Sequence, residues 1–307
     1  MAFTILVTGA TGKQGGATVR ALIDSDVEIL ALTRDVNSAS AKRLKGLSPK
    51  VKLLQGDLNN IPAIFTQARA LTNNSISGVF SVQVPASNKS DPSIEECQGR
   101  GLIDAAISNH VRLFVYSSVD RGGSQAANTP TNVPSWATKH RIEQYLRTRA
   151  KTSGMQYTIL RPTSYMELLS DDLPGRIFAT MWKNNFDNQR MHLIAVRDIG
   201  YFAAQAFLSP YRFAGIEMSL VGDELTFAEA NVLFHDTVGK PLPTANSLLV
   251  STFLKFSKSS RVMFESVKAR PADLGIEECR KMHPGLTHFK TWVLEESGCA
   301  KKEQPAA

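Results

Sequence analysis

Six short apolar runs alternate with stretches of helical spacing. The runs are apolar on both faces, and a glycine-rich turn follows directly on the first. These three observations predict an α/β protein built on a doubly wound parallel sheet. The runs, in chain order, are FTILVTGA, VEILALT, VKLLQGDL, SGVFSVQV, VRLFVYSSV and MQYTILRP. A strand apolar on both faces must be covered on both, and a helix between successive strands supplies the cover. Residues 19–22 and 103–106 carry the spacing such helices need.

Past Pro162 the regularity weakens. LPGRIFATMWKNNFDNQ has no clear period and reads as the opening of a smaller carboxy-terminal, substrate-side lobe. MHLIAVRDIGYFAAQAFLSP reads as a strand and helix returning to the core. Thr226, with Glu229 three residues on, has the form of a capping box for a further helix. The expected boundaries are 1–161 for the core, rejoined by 191–208, then 162–190 and 209–297 for the lobe, with 298–307 a frayed tail. No internal repeat or low-complexity linker interrupts this order.

At 307 residues the chain has enough length for a large α/β domain plus a lobe. Its 43% hydrophobic and 21% charged residues are those of an ordinary globular protein. No apolar run approaches the ~18 residues of a membrane helix. The opening MAFTILVTGAT lacks the parts of a signal peptide, so a cytoplasmic protein is expected, with the nucleus also open to it. Cys97, Cys279 and Cys299 share no close spacing and are read as free thiols in a reducing compartment, neither a disulfide framework nor a metal site. The net charge of +7 is spread along the chain, with KHR, RTRAK and KFSKSSR as its densest stretches. A basic protein that binds a polyanionic dinucleotide accounts for this more simply than one that binds nucleic acid.

VTGATGKQGG sets Gly9, Gly12 and Gly15 in a G-x-x-G-x-x-G pattern at the first strand of a βαβ unit. In a Rossmann-type sheet the first glycine permits the tight turn, the second admits a pyrophosphate, and the third lets helix and strand close together. The amino terminus of the helix then offers N–H groups and the positive end of a dipole to phosphate. A plain strand-to-helix turn is the blander reading, and the position at the first strand argues against it.

The end of the second strand selects the dinucleotide. Asp35 lies 20 residues after Gly15, where an acid would bond ribose hydroxyls. But VEILALT stops at Thr33, so the first side chain beyond it is Arg34, whose guanidinium suits a 2′-phosphate. Lys42 and Arg43 add positive potential. NADP(H) is therefore expected. Asp57, in QGDL, is placed to bond the adenine edge, and Val82, Gln83 and Val84 are expected to close the fourth strand beneath the nicotinamide-side ribose.

With the glycine turn, Arg34, the GD after the third strand and a lysine in VPSWATKHRIEQYL all in place, the chain resembles the NmrA-like family of atypical short-chain dehydrogenases/reductases. LRPTSYMELL, IAVRDIG near Asp198, VGDELTFAEA and HPGLTHFKTWV resemble later family segments, so the likeness runs nearly end to end. The family holds NADP(H)-responsive regulators that bind other proteins, as well as reductases and quinone oxidoreductases. It is similar to isoflavone-reductase-like enzymes, where a lysine on this helix moves the proton. By position, the resemblance implies that Gly9, Thr11, Gly12, Lys13 and Gln14 hold the pyrophosphate, with Gly15 completing the cofactor-binding turn, Arg34 the 2′-phosphate and Lys139 the nicotinamide ribose. Pro162, Thr163, Ser164 and Tyr165 would flank the nicotinamide.

In the standard site of that superfamily, a tyrosine four residues before the lysine exchanges a proton with the substrate oxygen, and a serine polarises the carbonyl. Here that position is Ser135, whose hydroxyl is far too weak an acid; after Pro134 it is expected to cap the helix. Ser117 and Ser118 end the fifth strand, so the serine is retained in Ser117. Two groups can replace the phenol. Lys139, if desolvated beside the cofactor, can act as the acid itself, or it can bind ribose only. Tyr165 can point a phenol into the cleft, although a packing role suits it better. His140 is expected at the surface and His192 in a structural role. Two functions follow: an NADPH-dependent reductase of a small carbonyl, quinone or activated double bond, or a redox sensor that regulates a protein partner. Neither a membrane, a nucleic acid nor a metal is expected as a partner.

Overall fold

The computed structural model describes residues 3–85, 91–128, 131–186 and 188–299, apart from the side chains of Pro92, Leu249, 253–256 and Lys258. Most of the expected tail, residues 300–307, lies outside the described residues. Residues up to 120, 124–161 and 197–219 form one compact unit; residues 121–123, 162–196 and those from 220 onward form another.

The six expected strands are all present. Along the chain run β1 (Phe3–Val7), α1 (Lys13–Leu22), β2 (Val27–Thr33), α2 (Ala39–Lys45), β3 (Val51–Gln55) and α3 (Ile61–Leu71). They are followed by β4 (Ile76–Ser81), α4 (Pro92–Ser108), β5 (Leu113–Ser117), α5 (Pro134–Ser153) and β6 (Gln156–Pro162). Next come β7 (Ser164–Tyr165), α6 (Leu173–Asn185), β8 (Met191–Ile194), α7 (Val196–Leu208), α8 (Pro210–Phe213), β9 (Glu217–Leu220) and β10 (Asp223–Leu225). The chain closes with α9 (Phe227–Val238), α10 (Ser247–Phe256), α11 (Lys258–Lys268), α12 (Ile276–Met282) and α13 (Phe289–Glu295).

Seven strands form the first unit's sheet in the order β3-β2-β1-β4-β5-β6-β9. Each neighbouring pair from β3 to β6 is parallel, β1 and β2 running in step from Phe3 opposite Val27 to Val7 opposite Ala31. The strand order reverses between β1 and β4, which is the switch point where ligands bind in such sheets. Leu6, Leu30, Val79, Phe114 and Ile159 pack on one face against Ile64 and Phe65 of α3, Leu102 and Ile103 of α4, and Ile142 and Leu146 of α5. The other face takes α7: Gly78 has the Phe207 ring where a Cβ would lie, 2.7 Å away.

Two boundaries differ from expectation. Residues 191–194 do not return to this sheet; β8 pairs with β7 and β10 in a separate three-stranded sheet of the second unit. Residues 209–219 do return, because β9 extends the large sheet beyond β6, with Gly215 N–H donating to the Tyr157 carbonyl at 2.7 Å and Ile159 N–H to that of Ile216 at 2.9 Å. The stretch read as aperiodic is largely the helix α6. Asp172 caps it by accepting the Gly175 N–H at 2.8 Å. Its period is hidden because Ala179, Thr180, Met181 and Trp182 are all buried, so apolar cover extends around more than one stripe. Trp182 and Phe186 pack with Phe234 of α9 and Trp292 of α13 in the second unit's core. The capping box forms as expected: Glu229 N–H donates to the Thr226 hydroxyl at 3.2 Å, and Thr226 N–H to the Glu229 carboxylate at 2.8 Å.

Among the described residues, no helix is long and apolar enough to cross a membrane, and no cluster of three His, Cys, Asp or Glu side chains is placed to hold a metal.

Candidate functional site

The turn after β1 is shaped by what cannot fit in it. Gly9 adopts φ +57°, in the left-handed region that favours glycine. A Cβ on Gly15 would stand 2.6 Å from the Thr8 carbonyl oxygen, and closer still to that of Gly9. Gly12 N–H donates to the Gly9 carbonyl at 2.9 Å, closing the turn. Gly12 is also the N-cap of α1 and brings no side chain to cap the helix. The Thr8 hydroxyl clasps the next strand's end, accepting the Val82 N–H at 2.8 Å and donating to the Val82 carbonyl at 3.0 Å. The sequence therefore builds an uncovered helix amino terminus at the switch point of the sheet.

A cavity of about 490 Å³ opens beside this turn. Of the expected cofactor residues, Gly9, Thr11, Gly12, Arg34, Asp57, Val82 and Val84 line it; Lys13, Gln14, Gly15, Gln83 and Lys139 do not reach its wall. Gly15 acts from behind, by letting α1 close on the turn. Arg34 is exposed and makes no hydrogen bond or ion pair with any described residue. Its neighbour Asp35 turns back on its own loop, accepting the Asn37 N–H at 2.8 Å. Asp57 likewise accepts the Asn59 N–H at 2.8 Å, so one carboxylate oxygen shapes the turn after β3.

The fourth strand ends at Ser81, earlier than expected, because Thr8 rather than a neighbouring strand holds Val82. Val84 is 81% exposed, whereas Gln83 is 4% exposed. One end of the Gln83 amide donates to the Ser81 hydroxyl at 2.9 Å; the other is buried with no partner among the described residues. A buried polar atom without a partner is costly, and is a place where a ligand group fits.

The residues expected to carry chemistry lie at the ends of β5 and on α5. Ser117 and Ser118 turn to opposite faces of the sheet. The Ser117 hydroxyl donates to Gln14 of α1 at 2.5 Å. The Ser118 hydroxyl donates to Glu143 of α5 at 2.5 Å, and Glu143 is itself ion-paired with Arg161 at 2.9 Å. Lys139 is buried, as an inward-facing helix residue should be, with its Nζ 6.0 Å from the centre of the Tyr116 ring. It is not left to desolvation alone: Glu95 of α4 stands 2.9 Å from it, and Glu95 lines the cavity. Sequence reasoning missed Glu95.

Ser135 does not cap α5. Val133 is the N-cap and Pro134 begins the helix, because a proline has no N–H to satisfy in a first turn. His140 is half-buried rather than at the surface, and His192 is buried with its Nε2 3.0 Å from the Ala272 carbonyl. Pro162 closes β6, and Thr163, Ser164 and Tyr165 belong to the second unit. The Thr163 hydroxyl is spent on the Leu220 carbonyl at 3.0 Å. Burial, with a smaller push from Glu167, raises the Tyr165 phenol far above its ordinary value. That makes it a poor proton donor at neutral pH.

The chain matches the description of the NmrA-like family over residues 1–268. It is 25% identical over 293 residues to the nitrogen metabolite repression protein nmr of Neurospora crassa, a match covering 86% of this chain and 58% of that one. The chain therefore spans less than two thirds of that relative's length. It is 26% identical over 259 residues to the NmrA-like family domain-containing oxidoreductase hkm9 of Aspergillus hancockii, covering 77% and 72% of the two chains. Among solved structures, NmrA, a negative transcriptional regulator in complex with NADP, superposes with a TM-score of 0.70 at 18% identity over 97% of this chain and 96% of that one. The Citrobacter sp. triphenylmethane reductase complexed with NADP(H) gives 0.72 at 18% identity over 97% and 100%. At such identities the structural likeness is one of fold. The family match, which begins before the glycine turn and ends with α11, goes further: this chain belongs to the NmrA-like family.

Proposed function

We propose that the first unit binds NADP(H), and that the chain is an NADPH-dependent reductase of a small carbonyl, quinone or activated double bond. One observation carries the binding: a glycine turn with no room for a Cβ at Gly15, and an Arg34 with no partner among the described residues, open on the same cavity. The turn suits a pyrophosphate, and the guanidinium suits a 2′-phosphate. In this reading Gly9, Thr11 and Gly12 hold the phosphates, while Arg34 selects NADP(H) over NAD(H). Bound NADPH supplies a hydride. Related proteins named as oxidoreductases, and a reductase of the same fold complexed with NADP(H), support the reading. The spread of the basic residues and the three free cysteines fit a cytoplasmic protein with a small-molecule substrate.

The test is titration of the protein with NADPH and NADH, followed by NADPH consumption against carbonyl, quinone and enone acceptors. Tight NADPH binding with turnover of one acceptor class supports the reductase. Absence of binding removes the whole proposal.

A second reading is favoured by the polar contacts at the end of β5. Ser117 is held by Gln14, Ser118 by Glu143 and Lys139 by Glu95, and no tyrosine stands at position 135. A site so internally bonded suits a regulator that reports cofactor state to a protein partner, and the Neurospora crassa relative is named a nitrogen metabolite repression protein. Such a regulator needs two conformations with different affinities for the cofactor. Hydrogen-exchange patterns that do not change on adding NADP(H) would rule it out.

A further inference from the structure

Glu95 is the side chain through which Lys139 meets the cavity. The Lys139 Nζ stands 2.9 Å from Glu95 Oε1, with the lysine side chain 8% and the glutamate 1% exposed. Of the two residues, Glu95 lines the cavity shared with Gly9, Gly12 and Arg34, and Lys139 does not. Close approach of α4 and α5 builds the contact. Gly99, one turn beyond Glu95, has the Ile142 side chain 2.6 Å from where its Cβ would lie, and Ile142 is one turn beyond Lys139. The other two carboxylates on the cavity are committed to backbone: Asp57 to the Asn59 N–H and Asp91 to the Ser93 N–H, each at 2.8 Å. Glu95 is ion-paired with an ammonium.

We propose that Glu95 is a catalytic proton carrier, relaying a proton from Lys139 into the cavity in place of the missing phenol; this rests on the NADP(H) reductase reading. The substrate carbon accepts a hydride as NADPH is oxidised by two electrons, and the electron pair of the C=O π bond moves to oxygen. The Lys139 ammonium passes a proton to the Glu95 carboxylate, and the substrate oxygen bonds to that same proton as its bond to Glu95 breaks. The product is the alcohol. Glu95 is left as carboxylate and Lys139 as neutral amine, to be reprotonated from water. Ser117 and Ser118 are not available for this task, since their hydroxyls are committed to Gln14 and Glu143.

The test uses Glu95→Gln, which keeps the shape but cannot carry the proton, with Lys139→Met and the double variant. Without cofactor, chemical denaturation of the four proteins reads the pair directly. The double variant is expected to lose less stability than the two single losses added together, because each single change strands a buried charge. Additive losses overturn the proposal. With NADPH and a carbonyl or enone acceptor, Glu95→Gln is expected to lower kcat about 100-fold while NADPH affinity changes little. In Glu95→Ala, added formate is expected to restore part of kcat by entering the space and carrying the proton. Wild-type kcat in Glu95→Gln overturns the relay and leaves the reductase standing. NADPH binding without turnover of any acceptor by the wild type removes the reductase reading, and the relay with it. If Glu95→Gln does not fold, Glu95→Asp keeps the charge on a shorter arm. It is expected to fold and lose kcat, and wild-type kcat there overturns the relay.

Discussion

The hydroxyl of Ser117 donates to Oε1 of Gln14 across 2.5 Å, tying the last residue of β5 to the first turn of α1. The serine is fully buried, so the bond has no ready substitute in water. Gln14→Leu is expected to destabilise the protein by about 1–3 kcal/mol, the usual range for a buried polar group left without its partner. Adding Ser117→Ala should recover part of that loss, because the stranded hydroxyl is then gone. Urea denaturation of both variants checks this; equal losses would show that the bond contributes nothing.

Gly15→Ala drives a methyl group into the Thr8 and Gly9 carbonyls. The expected destabilisation is about 1–3 kcal/mol, as for overpacking elsewhere, with loss of NADPH binding as the turn opens. Gly154 is the control. It sits at φ +76° with nothing within 4 Å of a built Cβ, so Gly154→Ala meets only backbone strain. That change should cost about 1–2 kcal/mol and leave binding untouched. Thermal melts and NADPH titrations separate the two cases.

Arg34→Ala should weaken NADPH binding roughly 10- to 100-fold, the range for losing hydrogen bonds to a charged group. NADH binding should change little, since NADH has no 2′-phosphate to lose. Calorimetric titration with both dinucleotides gives the ratio. Equal losses for the two would move Arg34 out of the specificity role.

Arg161, Arg147, Glu143 and Glu217 form a network at the end of β6. Arg161 Nη2 stands 2.9 Å from Glu143 and 2.5 Å from Glu217, and Arg147 Nε reaches Glu217 at 2.5 Å. Burial acts to raise the Glu217 carboxyl, but the hydrogen bonds and charges of Arg147 and Arg161 outweigh it and hold the group below its ordinary range. A carboxyl depressed in the folded state contributes stability above its unfolded value, and that contribution is lost as pH falls through the folded one. Unfolding free energy should therefore decline below about pH 4.3. In Glu217→Gln the decline should be shallower, measured by denaturation across an acid pH series.

How much of this was legible depended on how local each signal is. The six strands, the glycine turn and the Thr226–Glu229 box are encoded within a few residues, and the structure forms all of them. The helix α6 was not legible, because four successive buried residues erase the period on which the reading depends. Glu95 was missed because its partner lies far away on another helix. A signal was nonetheless present: Glu95, Gly99, Leu102 and Ala106 share the buried stripe of α4. An acid on such a stripe needs a cation, since buried carboxylates are almost always paired. The serines show a different limit. Strand alternation sends Ser117 and Ser118 to opposite faces, but nothing local says that Gln14 and Glu143 wait there.

The contact of Phe207 with Gly78 bears on how the chain is made. A ribosome completes all six of the central strands by residue 162, yet the helix that covers β4 and the strand that pairs with β6 are encoded only after residues 162–196 have emerged. Until then the nascent sheet carries a bare recess over Gly78 and an open edge along β6, the kind of edge that invites pairing with other chains. Gene fragments cut after residue 161 keep that half-made state permanently. A fragment carrying the first unit alone needs residues 197–219 spliced back onto residue 161 through a short linker, and the aggregation of truncated versions then becomes a matter of translation order rather than of composition.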